Sequence, residues 1–197
     1  MKAFFSLAVV TLLTIGASHA QKIKIVQGDL KNLKGVKSLN TEFSYSPMVI
    51  GKDEDEQAYI DEKKSKYNEK EPGRGEKWEK AWFDDRKNLF EPQFRELFAK
   101  HSGLSTTDES SPYKMIFRTT RTEPGFNVGV MRRPAFIDAE VLIVEAANPD
   151  KIIARIEIKN SPGRDAWGVD FETGARLQEA YAKAGKSLGK FIADKTR

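Results

Sequence analysis

From Ala135 to Val144 the chain is apolar at nearly every position, interrupted by Asp138 and Glu140. A continuous run of that kind reads as a central strand, so the rest of the chain has to supply flanking strands and a layer to cover them. The sequence on either side has the right character. Downstream, Asn148, Pro149 and Asp150 form a turn signal leading into a second apolar strand, Ile152 to Ile158. Upstream, Tyr113, Met115, Phe117 and Thr119 alternate with Lys114, Arg118 and Arg121. Glu123-Pro124-Gly125 then turns this segment toward Phe126, Val128 and Val130, a hairpin signature. Nearer the start, Ile23 and Ile25 alternate with lysines, and Thr41 to Ile50, carrying Phe43, Tyr45 and Met48, reads as one strand.

Two segments have helical spacing. Trp78, Trp82, Leu89 and Phe90 form an apolar stripe that Phe94, Leu97 and Phe98 continue, with a kink or restart expected at Glu91–Pro92 and a stop at Gly103. The stripe is core, or else a surface on which a ligand stacks. From about Asp170 to Asp194, Phe171, Leu177, Tyr181, Ala184, Leu188 and Ile192 share one face of an amphipathic helix. A glycine inside a helix costs about 1 kcal/mol against alanine, so Gly185 and Gly189 imply a packing reason, expected to be close approach to the sheet. The expected fold is therefore α+β, an antiparallel or mixed sheet with helices packed on one face, in the order strands, helix, strands, helix.

Between about 51 and 76 the chain carries a charged insertion. Acids come first (Asp53, Glu54, Asp55, Glu56), then bases (Lys63, Lys64, Lys66), then Pro72, Gly73 and Gly75. The polarity suits a short solvated helix followed by a loop. The spacing lacks the glycine and distal glutamate of a calcium loop.

The N-terminus has Lys2, an apolar run from Ala3 to Ile15, then Gly16, Ala17, Ser18, His19 and Ala20. This is the order of a secretory signal peptide, residues 1–20, with cleavage expected between Ala20 and Gln21 and a single domain over 21–197. The apolar run is shorter than the roughly 20 residues that span a bilayer, and nothing later resembles a span, so the mature form is expected to have none. There is no cysteine. That excludes a thiol-linked lipid anchor, disulfides and thiol catalysis, and leaves an ordinary apolar core to hold the fold. The formal net charge of +4 is spread over 33 basic and 29 acidic residues, which gives a mixed surface with no nucleic-acid partner expected.

Several patterns carry chemistry in other settings. Gly185-Lys186-Ser187-Leu188-Gly189 matches the nucleophile elbow of serine hydrolases, but it lies within a helix and no histidine follows Ser187. Gly185-Lys186-Ser187 is also the tail of a phosphate loop, with Ala180 where the first glycine belongs and no strand leading in. His101, near a helix end, is expected to partner the helix dipole. The sharpest catalytic candidates are Asp138, Glu157 and Lys159. An acid followed by E-x-K is the order of metal-dependent nucleases, where two carboxylates hold a divalent ion and the lysine orients water. Arg155, Glu157 and Lys159 share one strand face, and whether Asp138 joins them depends on hairpin register. A register that sets Ile156 and Ile158 against Leu142 and Val144 keeps apolar faces together and separates Asp138 from Glu157. This is the expected pairing.

The chain resembles a family of uncharacterised exported proteins from Gram-negative bacteria. The residues carrying the likeness are Gly28-Asp29-Leu30 with Leu33-Lys34-Gly35, then Phe43-Ser44-Tyr45-Ser46 and Glu123-Pro124-Gly125-Phe126-Asn127. They continue with Asp170-Phe171, Gly174-Ala175-Arg176, Glu179-Ala180-Tyr181 and Ala184-Gly185-Lys186. The resemblance implies no activity or catalytic residue. The architecture is also similar to periplasmic α/β modules of the curli-secretion channel type. The expected function is a non-enzymatic envelope protein, periplasmic or secreted, without a cofactor, that binds another protein or an envelope component. Its candidate surfaces are the charged segment from Asp53 to Lys70 and the loop from Arg121 to Arg133. The alternative is an enzyme, either the nuclease or a carboxylate enzyme acting on glycans; a cleft containing Asp138, Glu140 and Glu157 together would favour the enzyme, and a sheet face covered by the last helix the binding module.

Overall fold

The computed structural model describes residues 20–52, 54–128, 131–163 and 173–197. Residues 1–19 of the expected signal peptide, Asp53, Val130, Asp170 and Phe171 lie outside the described residues. The described strands and helices alternate in blocks as an α+β fold. The strands are β1 (Lys22–Gly28), β2 (Asn40–Ser44), β3 (Val49–Ile50), β4 (Glu54–Asp55), β5 (Tyr113–Glu123), β6 (Phe126–Val128), β7 (Met131–Arg133), β8 (Phe136–Glu145) and β9 (Asn148–Pro162). The helices are α1 (Glu56–Lys70), α2 (Arg74–Asp85), α3 (Glu91–Ser102) and α4 (Thr173–Thr196).

The main sheet is mixed, in the order β1-β9-β8-β5-β3-β4, with β2 also pairing β5. The apolar run is central as expected, with β9 on one side and β5 on the other, both antiparallel to it. The far edge of β5 is shared between β2 and β3, both parallel to it. The expected single strand from Thr41 to Ile50 is thus two. Pro47 lies between them and has no N–H to donate to a ladder. The hairpin expected from β5 into Phe126 does not form. β5 turns at Pro124–Gly125, but β6 pairs with β7 in a separate two-stranded ribbon.

The β8–β9 hairpin also departs from expectation. The turn falls at Ala146–Ala147, and Ile156 and Ile158 pair with Val141 and Ala139 rather than with Leu142 and Val144. The reason is visible in β8, where Val141, Leu142, Ile143 and Val144 are all buried, so its apolar pattern fits either register. A hydrophobic pattern specifies register only when one face is polar.

One face of the sheet is covered by α3 and α4. Phe94 of α3 is fully buried, with ring centroids 4.5 Å from Phe117 of β5 and 5.3 Å from Phe43 of β2. Phe90 stacks on Tyr181 of α4 at 4.8 Å with the planes 4° apart. Each such pair is worth about 1 kcal/mol beyond its buried area. The expected kink before Pro92 is a π turn over Arg86–Phe90, and α3 ends where Gly103 adopts φ 76°. On α4 the stripe Leu177, Tyr181, Ala184, Leu188 and Ile192 is buried as expected. The two glycines, however, approach a helix and not the sheet, since a Cβ on Gly185 would lie 2.4 Å from the carbonyl oxygen of Phe94, and one on Gly189 2.7 Å from that of Phe98.

The charged insertion forms the expected helix, exposed over much of its surface but docked along one side. Asp55 caps α1 by accepting from the Gln57 and Ala58 amides. Ile60 is buried and Tyr59 packs on Trp78 and Trp82 of α2. Glu56 accepts from the Trp82 indole at 2.8 Å and pairs with Arg86.

Candidate functional site

The sheet face away from α3 and α4 carries the sequence-derived candidates, and the structure brings them together. In register, Arg118 of β5 faces Glu140 of β8, Glu140 faces Glu157 of β9, and Glu157 faces Lys24 of β1. Two carboxylates directly opposite one another repel, so the row needs cations on both sides. Glu140 is held by Arg118 at 3.1 Å and by Arg155, and Glu157 by Lys24 at 2.8 Å and Lys159 at 3.6 Å. Lys24 and Lys159 keep the Glu157 carboxyl below its ordinary range, the Lys24 hydrogen bond being the larger cause.

Asp138 joins this face through a bulge. Ile137 pairs with Ser161 and Ala139 with Ile158, so β9 spends Lys159 and Asn160 opposite the single residue Asp138. The extra residue, Asn160, has φ 54°, a conformation that asparagine tolerates better than most residues. A bulge leaves its extra amide without a ladder partner. Asp138 Oδ1 accepts the Asn160 N–H at 2.7 Å, and Oδ2 lies 3.6 Å from Lys159 Nζ. The bulge also turns Ser161 inward, where its hydroxyl donates to the Ala180 carbonyl of α4.

Lys159 therefore sits between Asp138 and Glu157, and Asp138, Glu140 and Glu157 each have partners within the sheet. Among the described residues no group of three or more histidines and acids is arranged to hold a metal ion. Beside the row lies a depression of about 300 Å³, bordered by Arg118, Thr120, Glu140, Glu157 and Lys159. Sequence reasoning found Asp138, Glu157 and Lys159, with Arg155 on the same strand face, but did not join Arg118 or Lys24 to them, because cross-strand partners become visible only once register is known.

The other patterns stay apart from this face. Ser187 lies inside α4 and donates to Gln21. His101 is in the last turn of α3, its pKa lowered by desolvation and by Lys190, Lys186 and Lys100. Phe126, on the expected loop surface, lies under the Arg133 guanidinium, and Arg176 of α4 donates to the Pro124 carbonyl at 3.1 Å.

The aromatic stripe divides. Trp82, Phe90, Phe94 and Phe98 are core, whereas Trp78 is only partly buried and borders a cavity of about 260 Å³ with Tyr67, Lys77, Asp85 and Gly174. Burial, and then the neighbouring Asp84, raise the Asp85 carboxyl above its ordinary value. An acid raised in the folded state destabilises the fold as pH climbs through the ordinary Asp range, because the unfolded chain ionises more readily. Asp85→Asn is therefore expected to raise the thermal midpoint at pH 7, and a midpoint comparison below pH 3.8, the ordinary Asp value, should show the difference gone.

Among solved structures the chain is distantly similar to a Xanthomonas campestris protein of the DUF330 family. Identity is 12%, the match covers 54% of this chain and 60% of that one, and the TM-score is 0.40. It is also similar to a PelC dodecamer from Paraburkholderia phytofirmans, with 8% identity, 83% of this chain and 96% of that one covered, and a TM-score of 0.37. No protein-family model and no curated protein matches the chain.

Proposed function

We propose that the chain is an exported envelope protein that acts as a non-enzymatic binding or assembly module, and that its partner is another envelope protein docking on the open sheet face. The reading rests on one observation. Among the described residues the helical layer covers one sheet face, and the other presents Lys24, Arg118, Arg155 and Lys159 with Asp138, Glu140 and Glu157 in ordered rows beside a depression. Export is supported by the Lys2-to-Ala20 segment, with its basic start, apolar run and small residues before the expected cut at Gln21. A surface whose charges are already paired internally has little left for binding a single ion. It suits instead a protein surface whose own charges alternate in the complementary order.

A photo-crosslinking residue at Thr120, inside the depression, tests the reading against the same residue at Lys190, exposed on α4. In the native cell the Thr120 position is expected to give a discrete protein adduct that the Lys190 position does not. Equal adducts from both, or none from Thr120, would remove the sheet face as the docking surface. The competing nuclease reading draws on the convergence of Asp138, Glu157 and Lys159. It requires manganese- or magnesium-dependent DNA cleavage by the purified protein, abolished by Glu157→Gln.

A further inference from the structure

The cavity beside α2 and α4 lies in the helical layer, away from the open sheet face, so a ligand held there is independent of any partner docked on the sheet. Its wall is aromatic. Trp78 and Trp82 lie 5.6 Å apart with the planes 30° from parallel, and Tyr67 lies 5.8 Å from Trp78. Trp82 is committed to the core through its hydrogen bond to Glu56, but Trp78 is only partly buried and offers ring surface to the space. The cavity volume, about 260 Å³, falls just under the usual range for small-molecule sites and suits one ring-sized unit.

The polar groups around these rings are of two kinds. Asp85 is an acceptor only, and Arg74 and Lys77 are donors only. Among the described residues no side chain or amide donates to Asp85, although burial raises its pKa. The fold makes room for this carboxylate, since a Cβ on Gly174 would lie 2.2 Å from its Oδ2. Half-burying an unpartnered carboxyl costs stability, and its retention against an aromatic wall points to a ligand that supplies the missing donor.

We infer that this cavity binds a single neutral sugar unit, of a free saccharide or of a glycan chain, with an apolar ring face on Trp78 and hydroxyls shared between Asp85 and Lys77. A hydroxyl both donates and accepts, so one ligand satisfies the carboxylate and the ammonium together. A cation would meet Arg74 and Lys77, and an anion would meet Asp85, at the cost of like-charge repulsion. The flat carbon face of a pyranose gives the aromatic wall its apolar contact.

The test uses the full mature chain. An array of neutral oligosaccharides selects a probe, which is then titrated by tryptophan fluorescence, alongside maltotriose and tri-N-acetylchitotriose. Saturable binding is expected, weakened at least tenfold by Asp85→Asn, by Lys77→Ala and by Gly174→Ala, whose added methyl displaces the carboxylate. Lys100→Ala, on the exposed end of α3, is expected to bind as the parent does. Thermal midpoints at or above the parent value for Asp85→Asn separate lost binding from lost folding. The inference is overturned by saturable binding of none of these sugars, by binding indifferent to Asp85 and Lys77, or by selective binding of tetramethylammonium or inorganic phosphate. Failure here leaves the Thr120 crosslink unaffected, so the two readings fall separately.

Discussion

Gly185→Ala is expected to destabilise the protein by about 2 kcal/mol, and Gly185→Val by about 3, even though both replace a poor helix former. Two effects oppose each other. Removing a mid-helix glycine gains about 1 kcal/mol of propensity for alanine, less for the β-branched valine. Against this, the new Cβ would lie 2.4 Å from the carbonyl oxygen of Phe94 and 3.1 Å from its carbonyl carbon and Cα. These are backbone atoms of α3, and moving them shifts the ring of Phe94, which is in contact with Phe43, Phe98 and Phe117. Steric exclusion wins because the neighbour that would have to yield is anchored in the sheet-facing core. Urea unfolding would show this as a lower midpoint with an unchanged slope, the signature of lost stability without a change in the surface exposed. A Gly185→Ala variant more stable than the parent would mean that α3 and α4 can separate without cost, and that the packing explanation for the glycine is mistaken.

The same glycine shows what the chain discloses without coordinates. That Gly185 and Gly189 mark a close approach is legible, since nothing else justifies two glycines in one amphipathic helix. What they approach is not, because the apolar stripe on α4 specifies a buried face and leaves its partner open. Phe94 and Phe98 could be read as core from their spacing, but their meeting with α4 is a long-range pairing with no local signature. The central strand was legible for the reason that its register was not: β8 is apolar on both faces, which announces burial and erases the alternation that would fix its partners. Likewise the acids and bases after Gly51 announce a helix with the right polarity, while Ile60 and Tyr59, too few to register as a stripe, are what dock it against Trp78 and Trp82. Asp138 and Glu157 could be named from the sequence as a candidate pair. That Lys159 lies between them, and that a bulge at Asn160 recruits Asp138, depends on one inserted residue in a ladder, which local pattern does not encode.

The bulge gives the second large effect. Asp138→Ala is expected to cost about 3 kcal/mol, because it removes a charge-assisted hydrogen bond and leaves the Asn160 N–H without its acceptor. The Lys159 contact adds little to this figure, since the ammonium side chain is 44% exposed and the separation is 3.6 Å. Asp138→Asn keeps an acceptor oxygen for the Asn160 amide and should cost only about 1 kcal/mol. The pair of variants distinguishes two roles for one carboxylate. A carboxylate retained to hold a metal ion is a strain on the fold, and its neutral or truncated variants are at least as stable as the parent while losing metal-dependent chemistry. One retained to close a bulge behaves in the opposite way. Its loss loosens the end of β9, and with it the inward turn of Ser161 toward the Ala180 carbonyl. Amide hydrogen exchange at Asn160 and Ser161 locates the effect, since faster exchange confined to that end of β9 in Asp138→Ala, and restored in Asp138→Asn, is the result a structural clasp requires. Unchanged exchange and unchanged stability in both variants would free Asp138 from that role and return it, with Glu157 and Lys159, to the head of the catalytic candidates.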